Sequence, residues 1–492
     1  MATHRDAPSS LVDLGTFVHP AVCGSRADPP PSWHGGRVRS LHSSAGGPEG
    51  AGIDDQGQVA AWSMYNWADH GWAAPVAGVL IGPWMLSLAT GAVGARGTLI
   101  AVGPLQLRAD AFPSAMIAVA AVLQLVVLPG VGAVVDSRGN KRRWLAGACG
   151  GGSVICALLA LTSGHQWLLA GALFLAGSVV EGMSDLVWNG MLPELASPAR
   201  TEAVSSRGTA VGYLGAGMIL ALDLVLIQIH GTLGLSKSAA VRICFLTAAG
   251  WWAGFGLRSL RRLNPRPRLS ASRKPDGGTW SRLRADLAWL RTMPQTRRFV
   301  MAYLCFADAM SAVIALASTF LTHELFADNS TRASPFLFEL ILLIQFVAMG
   351  GALLSSAMAR RIGSRRAVLV NLVIWCAVIV FAYAALHTEA DAVAMGVVIG
   401  LVLGGTTALA RSLFARMVPA GREVTFFSLY EVCSKGTAWI APLLFTIVVD
   451  ITGSFRQAIL SLIVLFVLGL VLLFRTDTDA AAREAESRPL SV

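Results

Sequence analysis

Asp69, Glu181, Asp185, Asp223, Asp308, Arg411, Glu431 and Lys435 each interrupt a run of otherwise apolar residues. A charge held in hydrocarbon is costly, so such residues mark a proton or ion path, a counter-charge or a solute site. Glu181 and Asp185 are four apart and therefore share one helix face, which Trp188 and Asn189 continue. Two carboxyls in one cavity can exchange a proton or hold a cationic group. The structural alternative leaves Asp185 wet at the mouth of a helix. Asp308 lies deep in its apolar run, where it serves either ion coupling or a pairing between helices. Glu431 and Lys435 are spaced i, i+4 with the acid first, the favourable order for a structural ion pair. Asp223 has no evident partner. Other chemistries lack their residues. No G-x-x-x-x-G-K-[ST] phosphate loop, H-E-x-x-H or G-x-S-x-G occurs. The seven cysteines are scattered without CxxC or Cys/His spacing, so neither a metal nor a cofactor is expected, and no enzyme.

The elements that carry these residues are membrane helices. The chain has 492 residues, 54% hydrophobic and 14% charged, with mean hydropathy +0.60. Soluble domains carry about 25% charged residues. Apolar runs near the ~20 residues that cross a bilayer as a helix recur from Trp72 to Phe474. Twelve spans are predicted, at 66–90, 112–135, 144–163, 167–191, 208–230, 241–260, 299–322, 335–359, 367–387, 391–413, 425–450 and 457–474. With the N-terminus in the cytoplasm, 32 of the 39 Lys and Arg fall on the cytoplasmic side. That bias follows the positive-inside rule and puts both termini in the cytoplasm. The net charge of +10 is thus a topology signal. The partner it implies is the lipid bilayer; a nucleic acid is not expected.

Residues 1–58 are rich in Gly, Pro, Ser and Ala and are expected to be disordered. A six-helix bundle over 59–260 follows, then a basic cytoplasmic linker over 261–298. Within the linker, Thr279–Thr292 reads as a short amphipathic helix, lying in the membrane interface or packed on the bundle. A second six-helix bundle over 299–474 and a cytoplasmic tail over 475–492 complete the chain. The loops around Gly139 and Gly363 superpose at an offset of 224 residues, as two homologous halves would. The fold class is an all-α membrane protein of twelve transmembrane helices in two homologous six-helix halves. Glycines at 396, 400 and 404 permit close helix approach, read as packing within one chain, so a monomer is expected.

The loop Gly132-Ala-Val-Val-Asp136-Ser-Arg138-Gly139-Asn-Lys141-Arg142 resembles the G-x-x-x-D-R-x-G-R-R signature of the major facilitator superfamily. In the second copy Arg360 stands where the acid would be. Further stretches resemble one branch, that of the autophagy-related vacuolar amino-acid effluxers and their bacterial relatives. They are Trp62-Ser-Met-Tyr65-Asn66-Trp67-Ala68-Asp69, Ser205-Ser206-Arg207-Gly208, Ser412-Leu413-Phe414-Ala415-Arg416 and Lys435-Gly436-Thr437. Asp and Asn have changed places in the first, which moves the acid by one turn. The resemblance implies a major facilitator fold and a secondary transporter, in a bacterial inner membrane or a vacuole-like organelle membrane. It implies alternating access and export of amino acids or similar small solutes, with H⁺ as the coupling ion. In that fold, spans one, four, seven and ten line the cavity. The resemblance therefore gathers Tyr65, Asn66, Trp67, Asp69, Glu181, Asp185, Asp308 and Arg411 into one substrate or ion site. Gly132, Asp136, Arg138, Gly139, Lys141 and Arg142 become a conformational latch. The same scaffold also admits a non-transporting membrane sensor or a lipid-handling protein.

Overall fold

The computed structural model describes residues 52–94, 97–102, 105–264, 288, 290–326, 330–431 and 440–486. The N-terminal extension up to residue 51, most of the amphipathic stretch 279–292, Lys435 and residues 487–492 lie outside these. The chain begins with α1 (Gln56–Trp72), a π-helical stretch (Ala73–Leu80) and α2 (Ile81–Val93), which run on as one rod. An antiparallel hairpin, β1 (Thr98–Val102) and β2 (Leu105–Arg108), follows. Next come α3 (Phe112–Arg138), α4 (Lys141–Leu161), α5 (Trp167–Gly190), α6 (Leu192–Leu195), α7 (Thr201–Ile229) and α8 (Lys237–Arg262). The second half holds α9 (Pro294–Leu325), α10 (Ser330–Ile362), α11 (Ser364–Ala384) and α12 (Glu389–Arg416). It ends with α13 (Glu423–Glu431), α14 (Ile440–Thr452), α15 (Phe455–Ser461), α16 (Ile463–Phe474) and α17 (Thr478–Glu486).

Eleven helical segments among the described residues are long and apolar enough to cross a membrane. Of the expected eleventh span, 425–450, the described residues are those of α13 and the 13-residue α14; residues 432–439 between them lie outside the described set. The first span starts earlier than its hydropathy suggests. Asp55 caps α1 by accepting the Gln58 N–H at 2.9 Å, inside the segment expected to be featureless. Within this rod Pro75 lacks a backbone N–H and disturbs the α ladder, and the chain widens to a π-helix there.

The loops alternate between two ends. The basic end carries the α3–α4, α5–α7, α10–α11 and α12–α13 connections; the hairpin sits at the other. Between α3 and α4 the chain reverses through Gly139 (φ 65°) and Asn140 (φ 59°), and Gly363 (φ 86°) does the same between α10 and α11. The two sequence repeats thus make the same left-handed turn. Within the second half, α10 and α12 touch backbone to backbone. A Cβ on Gly404 would lie 2.0 Å from the Ala348 carbonyl oxygen. Gly396 and Gly400 meet Leu340 and Val347 of the same neighbour, so the spaced glycines pack inside the chain. Gly404→Val is expected to destabilise the bundle by about 1–3 kcal/mol. Thermal unfolding in detergent would show a lowered Tm; an unchanged Tm would rule out the close approach.

The halves meet through α7 against α10 and α12, and through α13 against α3 and α5. By contrast, α14 packs on α9 and α15 of its own half.

Candidate functional site

Tyr65 and Asp69 are one turn apart on α1 and turn to α5. Ser184 donates to Asp69 Oδ1 at 2.9 Å, and the Tyr65 hydroxyl lies 2.9 Å from the same Ser184 oxygen and 3.1 Å from the Leu145 carbonyl. Asp69 is 3% exposed. Asp185, one residue beyond Ser184, and Glu181 are both within electrostatic reach of Asp69. Both are half-buried. Carboxyls gathered in one site repel when all are charged, so this cluster can hold and release a proton. His70 follows Asp69 but points to α7, donating from Nδ1 to the Asn66 carbonyl at 2.9 Å. It is within electrostatic reach of both Asp185 and Arg411.

Arg411 comes from α12, in the other half. Its guanidinium lies over the Trp188 ring, 4.5 Å from the centroid, and donates to Thr209 Oγ1 at 2.9 Å. Its Nε is buried with no partner, and among the described residues the side chain forms no ion pair. Trp188 itself is held rigidly. It stacks on Trp62 with ring centroids 4.1 Å apart, and each indole N–H donates to the other residue's carbonyl at 2.9 Å. An anionic pole and a cationic pole therefore stand on different helices, with an aromatic wall under the cation.

At the basic end a second constellation joins the halves. Asp136, at the end of α3, accepts from the Val424 N–H at 3.1 Å and from the Thr425 N–H and hydroxyl at 2.7 Å each. These N–H groups open α13 and have no partner within that helix, so a carboxylate from the other half caps it and meets the positive end of its dipole. Lys141 is buried, bonded to Glu194 at 2.8 Å and to Glu423 across the halves at 3.3 Å, with the Gly190 carbonyl at 3.0 Å. A Cβ on Gly132 would come within 3.0 Å of the Val424 carbonyl oxygen, so any side chain there would press on α13. Burial pulls the pKa of Arg422, in the loop before α13, below its ordinary value, and the Asp136 carboxylate opposes that shift. Asn189 donates to Glu431 Oε1 at 2.9 Å in a further bond between halves.

Several expectations need correction. Asn66 is tied to the Gly208 carbonyl at 3.0 Å and pins α1 to α7. Trp67 faces α8, stacked on Trp251 at 5.4 Å, away from the acid cluster. Asp308 is 1% exposed and accepts the Ala441 N–H of α14 at 3.0 Å; among the described residues its other oxygen has no partner. Among the described residues its one hydrogen bond is to α14, and no member of the Asp69 cluster acts on it. Of the loop residues, Asp136, Gly132 and Lys141 reach the other half. Arg142 donates to the Leu260 carbonyl at 2.8 Å in its own half, Arg138 is exposed, and Gly139 makes the turn. In the second copy Arg365 donates to the Leu473 and Phe474 carbonyls, again within one half. The Glu431–Lys435 pair lies partly outside the described residues. His70, Ser184, Thr209, Glu194 and Thr425 were missed. Only His70 carried a signal, as a titratable neighbour of Asp69 within a span.

A family model described as "Vacuole effluxer Atg22 like" matches residues 54–486. YxiO of Bacillus subtilis, an uncharacterized MFS-type transporter, is 24% identical over 435 residues, 87% of this chain and 97% of that protein. Autophagy-related protein 22-1 of Phaeosphaeria nodorum is 24% identical over 439 residues, 75% of this chain and 76% of that protein. Among solved structures, the human organic anion transporter MFSD10 superposes with a TM-score of 0.63 at 18% identity, over 85% of this chain and 99% of that one. The transporter FucP in its outward conformation superposes with a TM-score of 0.64 at 13% identity, over 86% of this chain and 100% of that one. At such identities these structures share the fold alone. With that fold and that match, the chain belongs to the Atg22-like vacuole effluxer family and is an integral membrane transporter of the major facilitator type.

Proposed function

We propose that this transporter exports amino acids, or small zwitterions like them, in exchange for protons. The observation that carries the reading is Arg411, a guanidinium between membrane helices with a free Nε, set across from a carboxyl cluster. A zwitterion matches both poles, its carboxylate on Arg411 and its ammonium on Asp69 and Asp185. The ammonium and the proton then compete for the same carboxylates, and that competition is what exchange coupling requires. The positive-inside bias supports a cytoplasmic basic end. Contacts between the halves through Asp136, Lys141 and Glu431 at that end support a state closed to the cytoplasm. Protonation of the acid cluster from the far side would release the solute and let the halves swing back.

Flux in proteoliposomes tests this. With one-for-one exchange, each pH unit across the membrane sustains about a tenfold solute gradient. Asp69→Asn is expected to abolish that accumulation while solute–solute exchange persists within a few-fold. Accumulation at the wild-type level in Asp69→Asn would refute the coupling site. A labelled amino acid should move and its decarboxylated amine should not; equal rates would refute carboxylate recognition.

A further inference from the structure

We propose that a groove at the basic end of α8 is a binding site for an anionic phospholipid. Its volume is about 520 Å³, and it is lined by Gly254, Leu257, Arg258, Arg261 and Arg262. The other sides of α8 are occupied. Trp252 and Gly256 meet Gly152 and Cys149 of α4, while Trp251 and Ser259 meet Gly71 and Ala61 of α1. Leu257, Arg258, Arg261 and Arg262 are exposed on the remaining face, which in a spanning helix is turned to lipid. Being near the helix end, it meets the bilayer where hydrocarbon gives way to headgroups.

The chemistry of the groove is split along its length. At the headgroup level stand the three guanidiniums, and none of the ion pairs at the basic end, among the described residues, reaches them. A guanidinium fork suits the paired oxygens of a phosphodiester. Toward the bilayer centre the same face continues through Gly254 and Gly250. A Cβ at either would meet nothing within 4 Å, so two missing side chains leave a smooth slot beside Leu257. An acyl chain fits that slot, whereas a free phosphate would use the arginines alone. Arg142 takes no part, being held on the Leu260 carbonyl. Charge complementarity and the bilayer setting select one occupant: a phospholipid with net negative charge, its phosphate on Arg258 and Arg261 and one chain along Gly254.

The test is native mass spectrometry of the full chain in detergent, titrated with phosphatidylglycerol or phosphatidylcholine. Phosphatidylglycerol should be retained selectively by the wild type. The double variant R258Q/R261Q should weaken that retention by roughly thirtyfold, the loss expected for two interfacial arginines. Gly254→Leu, whose Cβ would meet nothing within 4 Å, should weaken it too. Solute exchange by both variants in phosphatidylcholine liposomes at the wild-type rate confirms that they fold. Equal retention of the two lipids, or of phosphatidylglycerol by wild type and R258Q/R261Q, overturns the proposal. Full retention by Gly254→Leu, or displacement by millimolar orthophosphate, overturns the lipid in favour of a simple anion site.

Discussion

Arg411→Gln is expected to lower the apparent affinity for an amino acid by about a hundredfold or more, the cost of truncating one partner of a buried, hydrogen-bonded charge pair. His70 lies within electrostatic reach but has no guanidinium fork to grip a carboxylate. The neighbours at the guanidinium are the Thr209 hydroxyl and the Trp188 ring, and neither carries a positive charge. Arg411→Lys is expected to recover only part of the loss, because an ammonium lacks the planar face that lies on Trp188 and the fork that grips a carboxylate. The decisive comparison is the ratio between an amino acid and its decarboxylated amine in counterflow. That ratio should collapse towards one in Arg411→Gln. If the variant transports amino acids at wild-type affinity, the carboxylate is bound elsewhere.

The other large effect is expected at Lys141. Lys141→Met leaves Glu194 and Glu423 buried against each other without their shared cation. Removing one partner of such a cluster costs about 3–5 kcal/mol. Only Glu423 belongs to the second half, so much of that cost falls on the state closed at the basic end. The equilibrium should move by two or more orders of magnitude towards separation at that end. Cysteine accessibility in oriented vesicles would read this, with a probe residue placed at Ser428, which is fully buried beside Gly132. Labelling from the basic side should rise from near zero to near complete. A double variant, Lys141→Met with Glu423→Gln, should fall partly back, because the repulsion between Glu194 and Glu423 is then removed while Glu194 stays buried without its cation. Unchanged labelling in Lys141→Met would mean that the cluster stabilises a single half and holds nothing shut.

How much of this was legible in the chain depends on the range of each interaction. The spans and the two-half plan were legible because hydropathy and a loop repeat are local properties. The carboxyl pair on α5 was legible too, since i, i+4 spacing fixes a shared face before any tertiary structure exists. Asp308 was misplaced because its partner, the Ala441 N–H, lies 133 residues away and reaches it only through the tertiary fold. Trp67 was misplaced for a related reason. Its neighbours Tyr65 and Asp69 face α5, but each is two residues away, a rotation of about 200°, and α8 waits on that opposite side. Glu194 and Glu423 looked like ordinary loop acids until the fold buried them around Lys141. The π-helical stretch and the hairpin left no periodic trace at all.

The mutual stack of Trp62 and Trp188 belongs wholly to the first half, while the guanidinium above it rides on the second. When the halves part, the ring pair stays and the charge departs. A point charge at 4.5 Å from an indole face imposes an internal Stark field, so its departure should alter the emission spectrum of that pair. The other indoles of the chain, fourteen in all with these two, form a constant background that a difference spectrum removes. The transporter thus carries its own unlabelled optical gauge, one that reports the fraction of molecules open at the basic end during turnover.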